Sequence, residues 1–334
     1  MTYEIPEISI IIPMYNAERY IDQTLMSIQQ QTFTNFELFI IDDCSTDKSV
    51  QIVKEFQQTD ELRDKLKLIQ LQKNGGISST RNVGLRMSRG NYITFVDNDD
   101  FLVPNALETM IAMARKYNAE VVHTHSHYQN RSEIDENATV MDFLPSTFEV
   151  KSNTKSPPHL LTNDLSERVD DFTDHKIDWN VWSKLFKRDF LMLNDIKFPK
   201  IPYTEDMMFC IQCLLSAKRY VMIPDLVYVY RVRSSSTIHR ERNKNFLKKI
   251  IDTQIIGLRM ISEYMNNVEY FADHERDRER MINFYMKLEL LSSRAMQRKY
   301  LKGLTYYREL QTMYEEHFGK DKSWIAYMHM LANR

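Results

Sequence analysis

Cysteine and glycine are both scarce in this chain, with 3 and 7 residues of 334. The odd count and low density of Cys44, Cys210 and Cys213 fit a reducing, cytoplasmic setting. Cys210 and Cys213 form a C-x-x-C inside the helix-like run DMMFCIQCLL. A zinc site needs about four ligands and no second such pair exists, so both read as buried thiols. An excess of charge of one sign is also missing. The formal net charge is -2, which argues against bulk nucleic-acid binding, so no nucleic-acid partner is expected. No apolar run approaches the roughly 18 residues of a membrane span. The start, MTYEIPEISIIIP, carries Glu4 and Glu7 where a signal peptide has basic residues, and its apolar run is short. There is no internal repeat and no low-complexity tract.

What is present suffices for a core: 43% of the residues are hydrophobic and 27% charged. Over the first 125 residues short apolar runs alternate with helical patterns. Ile8–Ile12 reads as a buried strand, and Ala17–Gln31 as a helix with Ile21, Leu25 and Ile28 on one face and Asn16 as N-cap. Phe36–Ile41 is the next strand, and Ser45, Thr46 and Asp47 offer caps to a helix carrying Val50, Val53 and Phe56. Leu66–Leu71 is a strand. Ser78–Arg89 is a helix closed by Gly90 at a C′ position. Strands at Tyr92–Val96 and Ala119–His123 flank a helix over Asn105–Tyr117. This spacing means βαβ units and a mostly parallel sheet, whose ligands bind beyond the carboxyl ends of the strands. Further on, YVMIPDLVYVYRVR reads as two short strands broken by Pro224, and the pattern is helical from residue 241.

Polar clusters follow each of the first four strands: MYN, DDCSTD, KNGGISSTRN and DNDD. Four such clusters on one rim point to a site. In the last, Asp97, Asp99 and Asp100 crowd together, although carboxylates about 4 Å apart repel by roughly 4 kcal/mol at an effective dielectric of about 20. An extended strand end would put Asp97 and Asp99 on one side, where a hard cation such as magnesium or manganese turns repulsion into coordination. The plainer alternative is a solvated turn in which Asp99 or Asp100 caps the next helix. Asp42 and Asp43 likewise end a buried strand, and either caps a helix or accepts hydrogen bonds from a nucleobase. KNGGISSTRNVG matches neither G-x-G-x-x-G nor a P-loop, so its glycines and Arg81 would meet a phosphate or base in some other way, or Arg81 is a surface charge. His123, His125 and His127 share one strand face about 6.6 Å apart, which suits no compact three-histidine site.

Taken in order, SIIIPMYN, FELFIIDDCSTDKS, NGGISSTRNVGLRMSRGNYITFVDNDD and TEDMMF resemble family 2 glycosyltransferases of the GT-A fold, in particular bacterial enzymes of surface-polysaccharide synthesis. The resemblance is strong over residues 8–125 and looser over 179–240. It implies a Rossmann-like α/β sheet flanked by helices with a C-terminal helical extension. The expected divisions are a nucleotide-sugar-binding half at 1–125, an acceptor-binding half at 126–240 and helices at 241–334. It implies that Pro13 and Tyr15 lie at the uracil, that Asp43 and Arg81 contact the base and that Asp97 reaches the ribose. Asp99 would hold manganese or magnesium on the donor diphosphate, and Asn98 departs mildly from the small residue usual between these acids. Arg231, Arg233, Ser235, Ser236 and His239, in YRVRSSSTIHR, would close over the diphosphate, with His239 as a further metal ligand. Asp206 would be the base, with Glu205 beside it. Trp179 or Trp182 would stack on the acceptor sugar or pack in the core.

The expected partners are a UDP-sugar and a glycan or lipid-linked oligosaccharide. Basic and aromatic residues interleave with aliphatic ones in KKIIDTQIIGLRMISEYM and YMKLELLSSRAMQRKYLKGLTYYREL. That pattern suits either contact with the inner membrane surface or packing on the catalytic domain. Two rival functions are weighed. A sugar-phosphate nucleotidyltransferase would want a glycine-rich basic loop after the first strand, where PMYNAERY stands instead. A non-catalytic sugar-nucleotide binder would have no use for the acid pair Glu205–Asp206.

Overall fold

The computed structural model describes residues 5–130, 157–201, 203–231 and 244–291. ISIIIPM forms β1 (Ile8–Met14) and FELFIID forms β2 (Phe36–Asp42), each buried along its whole length, as strands covered on both faces must be. β3 (Leu66–Gln70) pairs in parallel with β2, and β4 (Tyr92–Phe95) pairs in parallel with β1. The connections are α1 (Ile21–Gln29), α2 (Ser49–Phe56) and α3 (Ile77–Met87). Beyond β4 the sheet turns mixed. β5 (Phe101–Leu102) is followed by α4 (Ala106–Tyr117), β6 (Val121–Asn130), β7 (His159–Leu160), α5 (Leu165–Thr173), β8 (Lys184–Lys187) and α6 (Arg188–Leu193). α7 (Glu205–Ser216) and β9 (Tyr220–Arg231) complete it. Among the described residues the nine strands run β3-β2-β1-β4-β8-β6-β9-β5, with β7 against β9. β8 lies antiparallel between β4 and β6, so its first residues join the carboxyl-end rim of β1, β2 and β4.

Two layers of side chains hold the sheet. On one face Ile8, Ile10, Ile12 and Leu38 share a core with Ile21, Leu25 and Ile28 of α1 and Leu107, Met110 and Ile111 of α4. On the other, Phe95 meets Phe198 and Phe209 edge-on at 5.1 and 5.9 Å, and Phe198 stacks on Phe209 at 4.2 Å. Phe209 belongs to α7, so this aromatic cluster seats the helix that begins with Glu205 and Asp206.

Three local expectations are corrected. α1 begins at Ile21, and Asn16 stands outside it with φ 47°. Its Oδ1 instead accepts from Thr46 N at 2.8 Å, tying the loop after β1 to the loop after β2. Gly90 is not left-handed. A Cβ there would lie 2.6 Å from Ser9 N, so glycine is required because two backbones approach closely. Pro224 does not end a strand: β9 runs through it, and the irregularity appears as a register shift against β6 between Thr124 and Ser126.

Internal contacts divide the chain into two units. The first, Met1–Lys200 with Thr204–Ser236, carries the sheet. The second, Ile201–Tyr203 with Thr237–Arg334, carries α8 (Lys244–Asn266), α9 (Tyr270–Asp273) and α10 (Glu275–Leu291). Leu258, Ile261 and Met265 of α8 are buried. Most of YMKLELLSSRAMQRKYLKGLTYYREL lies outside the described residues. No described helix is long and apolar enough to cross a membrane.

Candidate active site

Side chains on the rim are fixed by unusual backbone. Asn16 after β1, Cys44 after β2, Ser183 before β8 and Thr204 before α7 all have φ between 47° and 67°. Such conformations cost of order 1–3 kcal/mol each and persist where surrounding contacts enforce them. Thr204 is the sharpest case, since a β-branched residue is a genuine outlier there. It sits immediately before Glu205 and Asp206.

At the end of β2, the buried Asp43 carboxylate accepts from Gly75 N at 2.7 Å and Gly76 N at 2.8 Å. Gly76 has φ 80°, which only glycine adopts freely, so KNGG is a loop fastened to β2 through Asp43. Asp42 accepts from Ser45 N at 3.1 Å and stays local. Tyr15, just past β1, is half exposed on the same rim, and Pro13 is buried beneath it.

DNDD is a turn rather than an extended strand end, because Asp100 N donates to Asp97 O at 3.2 Å. Asn98 donates from Nδ2 to Pro13 O at 2.9 Å, which fastens the turn to β1 and gives a use to this departure from the family pattern. Asp100 caps no helix. It is 0% exposed, accepting from Tyr228 OH at 2.8 Å and Arg231 N at 2.7 Å. Burial, then the Asp99 and Asp97 charges, hold its carboxyl well above the usual range. Tyr228 OH also accepts from Asp97 N at 3.1 Å. The buried acid and tyrosine thus anchor the turn and leave Asp97 and Asp99 half-buried at its surface.

Arg81, on α3, is buried. Its Nη2 donates to Asp97 Oδ1 and its Nη1 to Glu205 Oε1, both at 3.0 Å. Its guanidinium lies over the Phe198 ring at 5.2 Å. Burial opposes the cation, but the charges of Asp97, Glu205 and Asp206 outweigh it and raise its proton affinity. Arg81 is therefore held by two carboxylates at once. Burial, then the neighbouring Asp206, push Glu205 up to about 7 against the pull of Arg81. Burial raises Asp206 as well, with Arg81 opposing. Asp206 Oδ1 accepts from Met207 N at 2.8 Å, in the first turn of α7.

Lys184 was not singled out from the sequence. Fully buried in β8, it donates from Nζ to Asn180 O at 2.5 Å and Oδ1 at 3.1 Å. Burial lowers its proton affinity, while Cys210, Asp178 and Asp206 work the other way. The available signal was a lysine ahead of Leu185 and Phe186 in the short run KLFK. Cys210 and Cys213 are buried free thiols, and burial pushes Cys210 up to about 12, so it supplies no thiolate.

Other expected residues fall differently. Arg231 is 1% exposed, with its guanidinium 5.0 Å from the Tyr20 ring and 5.6 Å from Phe101, donating to Gln23 Oε1 at 2.6 Å. It packs beneath the acidic turn and does not stand on a closing loop. Arg233, Ser235, Ser236 and His239 lie outside the described residues, as do the side chains of His125 and His127. His123 is buried with Nδ1 3.2 Å from Tyr220 OH. Trp182 stacks on Tyr228 at 4.6 Å and Tyr230 at 5.7 Å, a half-buried aromatic platform beside the turn. Trp179 is tilted against His175 at 6.1 Å instead.

Among the described residues, no three His, Cys, Asp or Glu side chains are grouped to cage a metal. A magnesium-type ion makes a smaller demand: one or two carboxylates, with substrate phosphates and waters completing the shell. Asp99, half-buried on the turn, is a carboxylate of the type such an ion takes.

This sheet, with its acid turn and strained rim, is a GT-A glycosyltransferase fold. Comparisons with known proteins agree. The model of the family Glycosyl transferase family 2 matches residues 9–172. A glycosyltransferase of Haemophilus influenzae is 30% identical over 65% of this chain and 75% of its own length. The poly(ribitol-phosphate) β-N-acetylglucosaminyltransferase TarS of Staphylococcus aureus is 28% identical over 67% of this chain. The crystal structure of TarS 1–349 in complex with UDP superposes with a TM-score of 0.61 at 24% identity, covering 84% of this chain and 71% of that one. The chain belongs to glycosyltransferase family 2. It spans 35% of the length of TarS and 63% of that of the glycosyltransferase EpsJ of Bacillus subtilis, which is 27% identical over 70% of this chain.

Proposed function

We propose that this chain transfers a sugar from a UDP-sugar to a hydroxyl of a growing glycan, free or lipid-linked, with inversion at the anomeric carbon. The observation that carries the reading is the joining of the acid turn to the acid pair on α7: Asp97 and Glu205 hold the same guanidinium, each at 3.0 Å. Donor-binding and proton-accepting carboxylates would then face one reacting centre.

In the reaction, the acceptor oxygen forms a bond to the anomeric carbon and its proton passes to Asp206. The bond from that carbon to the diphosphate oxygen breaks, and UDP leaves with the electron pair. A raised proton affinity makes Asp206 a better base at neutral pH than an exposed aspartate. Tyr15 would stack on the uracil, within a pocket shaped by Asp43 and its glycine loop, and Asp97 would meet the ribose. Manganese or magnesium held by Asp99 would neutralise charge on the leaving diphosphate. Trp182, with Tyr228 and Tyr230 behind it, offers a flat apolar face of the kind a sugar ring stacks on. Relatives that bind UDP and are named for N-acetylglucosamine transfer make UDP-GlcNAc the first donor to try.

The test is UDP release from a panel of UDP-sugars with manganese. One donor should be hydrolysed slowly without acceptor. Asp206→Asn should lower the rate by about 100-fold or more while UDP still binds. Unchanged release in that variant would remove Asp206 from the role.

A further inference from the structure

The buried lysine of β8 takes no part in the transfer step, and a charge is an expensive thing to keep where it lies. Lys184 is 0% exposed, and its Nζ donates to Asn180 O at 2.5 Å and to Asn180 Oδ1 at 3.1 Å. Both acceptors are neutral, so an amide side chain could tie this loop without a charge. A buried ammonium costs several kcal/mol unless an opposite charge offsets it. The same Asn180 O also accepts from Cys210 Sγ at 3.4 Å. Lys184 Nζ and the Cys210 thiol therefore meet at one carbonyl oxygen. Cys210 lies four positions after Asp206 in α7, so the two share a helix face, with Cβ atoms about 5–6 Å apart. The Lys184 cation thus stands against α7, one helical turn from Asp206. Thr94 Oγ1 donates to Lys184 O at 2.8 Å, which fixes the lysine backbone in the sheet.

We propose that Lys184 is a positioning residue for the base, its buried cation serving as a fixed counter-charge to Asp206; this rests on the glycosyltransfer reading above. Besides burial, the groups that act on Lys184 are Cys210, Asp178, Asp206 and Cys213. Burial pushes the Cys210 thiol up to about 12 and holds Cys213 well above the usual thiol range, so neither is an anion at neutral pH. Asp178 and Asp206 remain, and only Asp206 stands at the acid pair. Asp206 is faced in turn by Arg81 of α3, by Asp97 of the acid turn and by Glu205 beside it. Arg81 divides its charge between Asp97 and Glu205, and Lys184 supplies a second cation. A counter-charge favours the anion of Asp206 against burial, so that a proton acceptor is present near neutral pH.

The experiment uses the full chain with saturating manganese and a saturating amount of whichever UDP-sugar the unmodified protein hydrolyses. UDP release is followed from pH 5 to 8 in the unmodified protein, Lys184→Gln, Lys184→Arg, Asp206→Asn and the double variant of Lys184→Gln with Asp206→Asn. Glutamine keeps a donor for Asn180 and removes the charge. In Lys184→Gln the acid limb of the rate should move up by about one pH unit, which is about tenfold in rate on that limb. The limb belongs to Glu205 and Asp206 as a pair, and losing the cation moves both in the same direction. Lys184→Arg keeps the charge and should leave the limb in place within about 0.3 unit. In the Asp206→Asn background, Lys184→Gln should cost less than about threefold, because the lysine acts through the aspartate. A merely structural lysine would lower the rate alike at every pH and by the same factor in both backgrounds, and either result overturns the proposal. Should Lys184→Gln fail to fold, Lys184→Met removes the charge with the same expected shift. If no neutral variant folds, the cation serves the fold and the proposal falls. Unchanged release in Asp206→Asn would also overturn it while leaving the glycosyltransfer reading standing. An unmodified protein that releases UDP from no donor would sink that reading itself, and the role of Lys184 with it.

Discussion

Tyr228→Phe removes one oxygen and keeps the ring that stacks on Trp182 at 4.6 Å. That oxygen makes two bonds inside the first unit, donating to Asp100 Oδ2 at 2.8 Å and accepting from Asp97 N at 3.1 Å. Without it, each partner loses a hydrogen bond, and a buried polar group left unsatisfied costs about 1–3 kcal/mol. Two such groups give about 2–6 kcal/mol, and the lower part of that range applies because water can reach the half-buried turn at Asp97. A loss of about 2–4 kcal/mol should lower the melting temperature by about 4–16 °C for a unit of this size. Urea unfolding followed by circular dichroism reads the stability, and UDP release reads the turn, which should become at least about tenfold less effective as Asp97 loosens. A stability within about 0.5 kcal/mol of the unmodified protein would refute the claim that the buried acid and tyrosine anchor the turn.

Three further outcomes are expected. Glu205 is raised from 4.5 to about 7 in the folded state, so the native protein holds more protons than the unfolded chain between those values, and stability should fall as pH rises through that window. Glu205→Gln should flatten the urea midpoint between pH 5 and 8, and an unflattened curve would count against the raised value. Asp99→Ala should abolish manganese-dependent UDP binding in calorimetry; metal-stimulated binding that survives would assign the ion elsewhere. Gly76→Ala should destabilise by about 1–2 kcal/mol, because φ is 80° there while a Cβ meets nothing within 4 Å; no measurable loss would mean the loop readily adopts another backbone.

The parallel half of the fold was legible because buried strands write themselves as local apolar runs. ISIIIP and FELFII need no distant partner to be recognised, and the alternation with helical spacing then dictates a parallel sheet. The mixed half was not, since β8 is four residues long and its antiparallel place between β4 and β6 depends on pairings far along the chain. Gly90 shows the same limit at one residue. A glycine after a helix has a common local reason, the left-handed cap, and the reason that applies is the backbone of Ser9 eighty-one positions away.

The site divides along the same line. Asp43, Asp97 and Asp99 are candidates because acids at strand ends are displayed by the sequence, and Glu205 and Asp206 because TEDMMF resembles the family pattern. What each acid does depends on what neutralises it, and those partners are distant. Asp100 reads in sequence as a candidate helix cap on a solvated turn, yet Tyr228, 128 positions on, and the backbone of Arg231 bury it. Arg81 stands in the motif KNGGISSTRN with no sign of Glu205, 124 positions on, which holds one of its nitrogens. Buried charges are retained only with partners, because an unpaired one costs several kcal/mol. The count of acids and bases in a motif therefore cannot reveal which are spent on each other. In this rim Arg81 is spent on Asp97 and Glu205 and Arg231 on Gln23, while Asp99 and Asp206 stand half-buried at the surface.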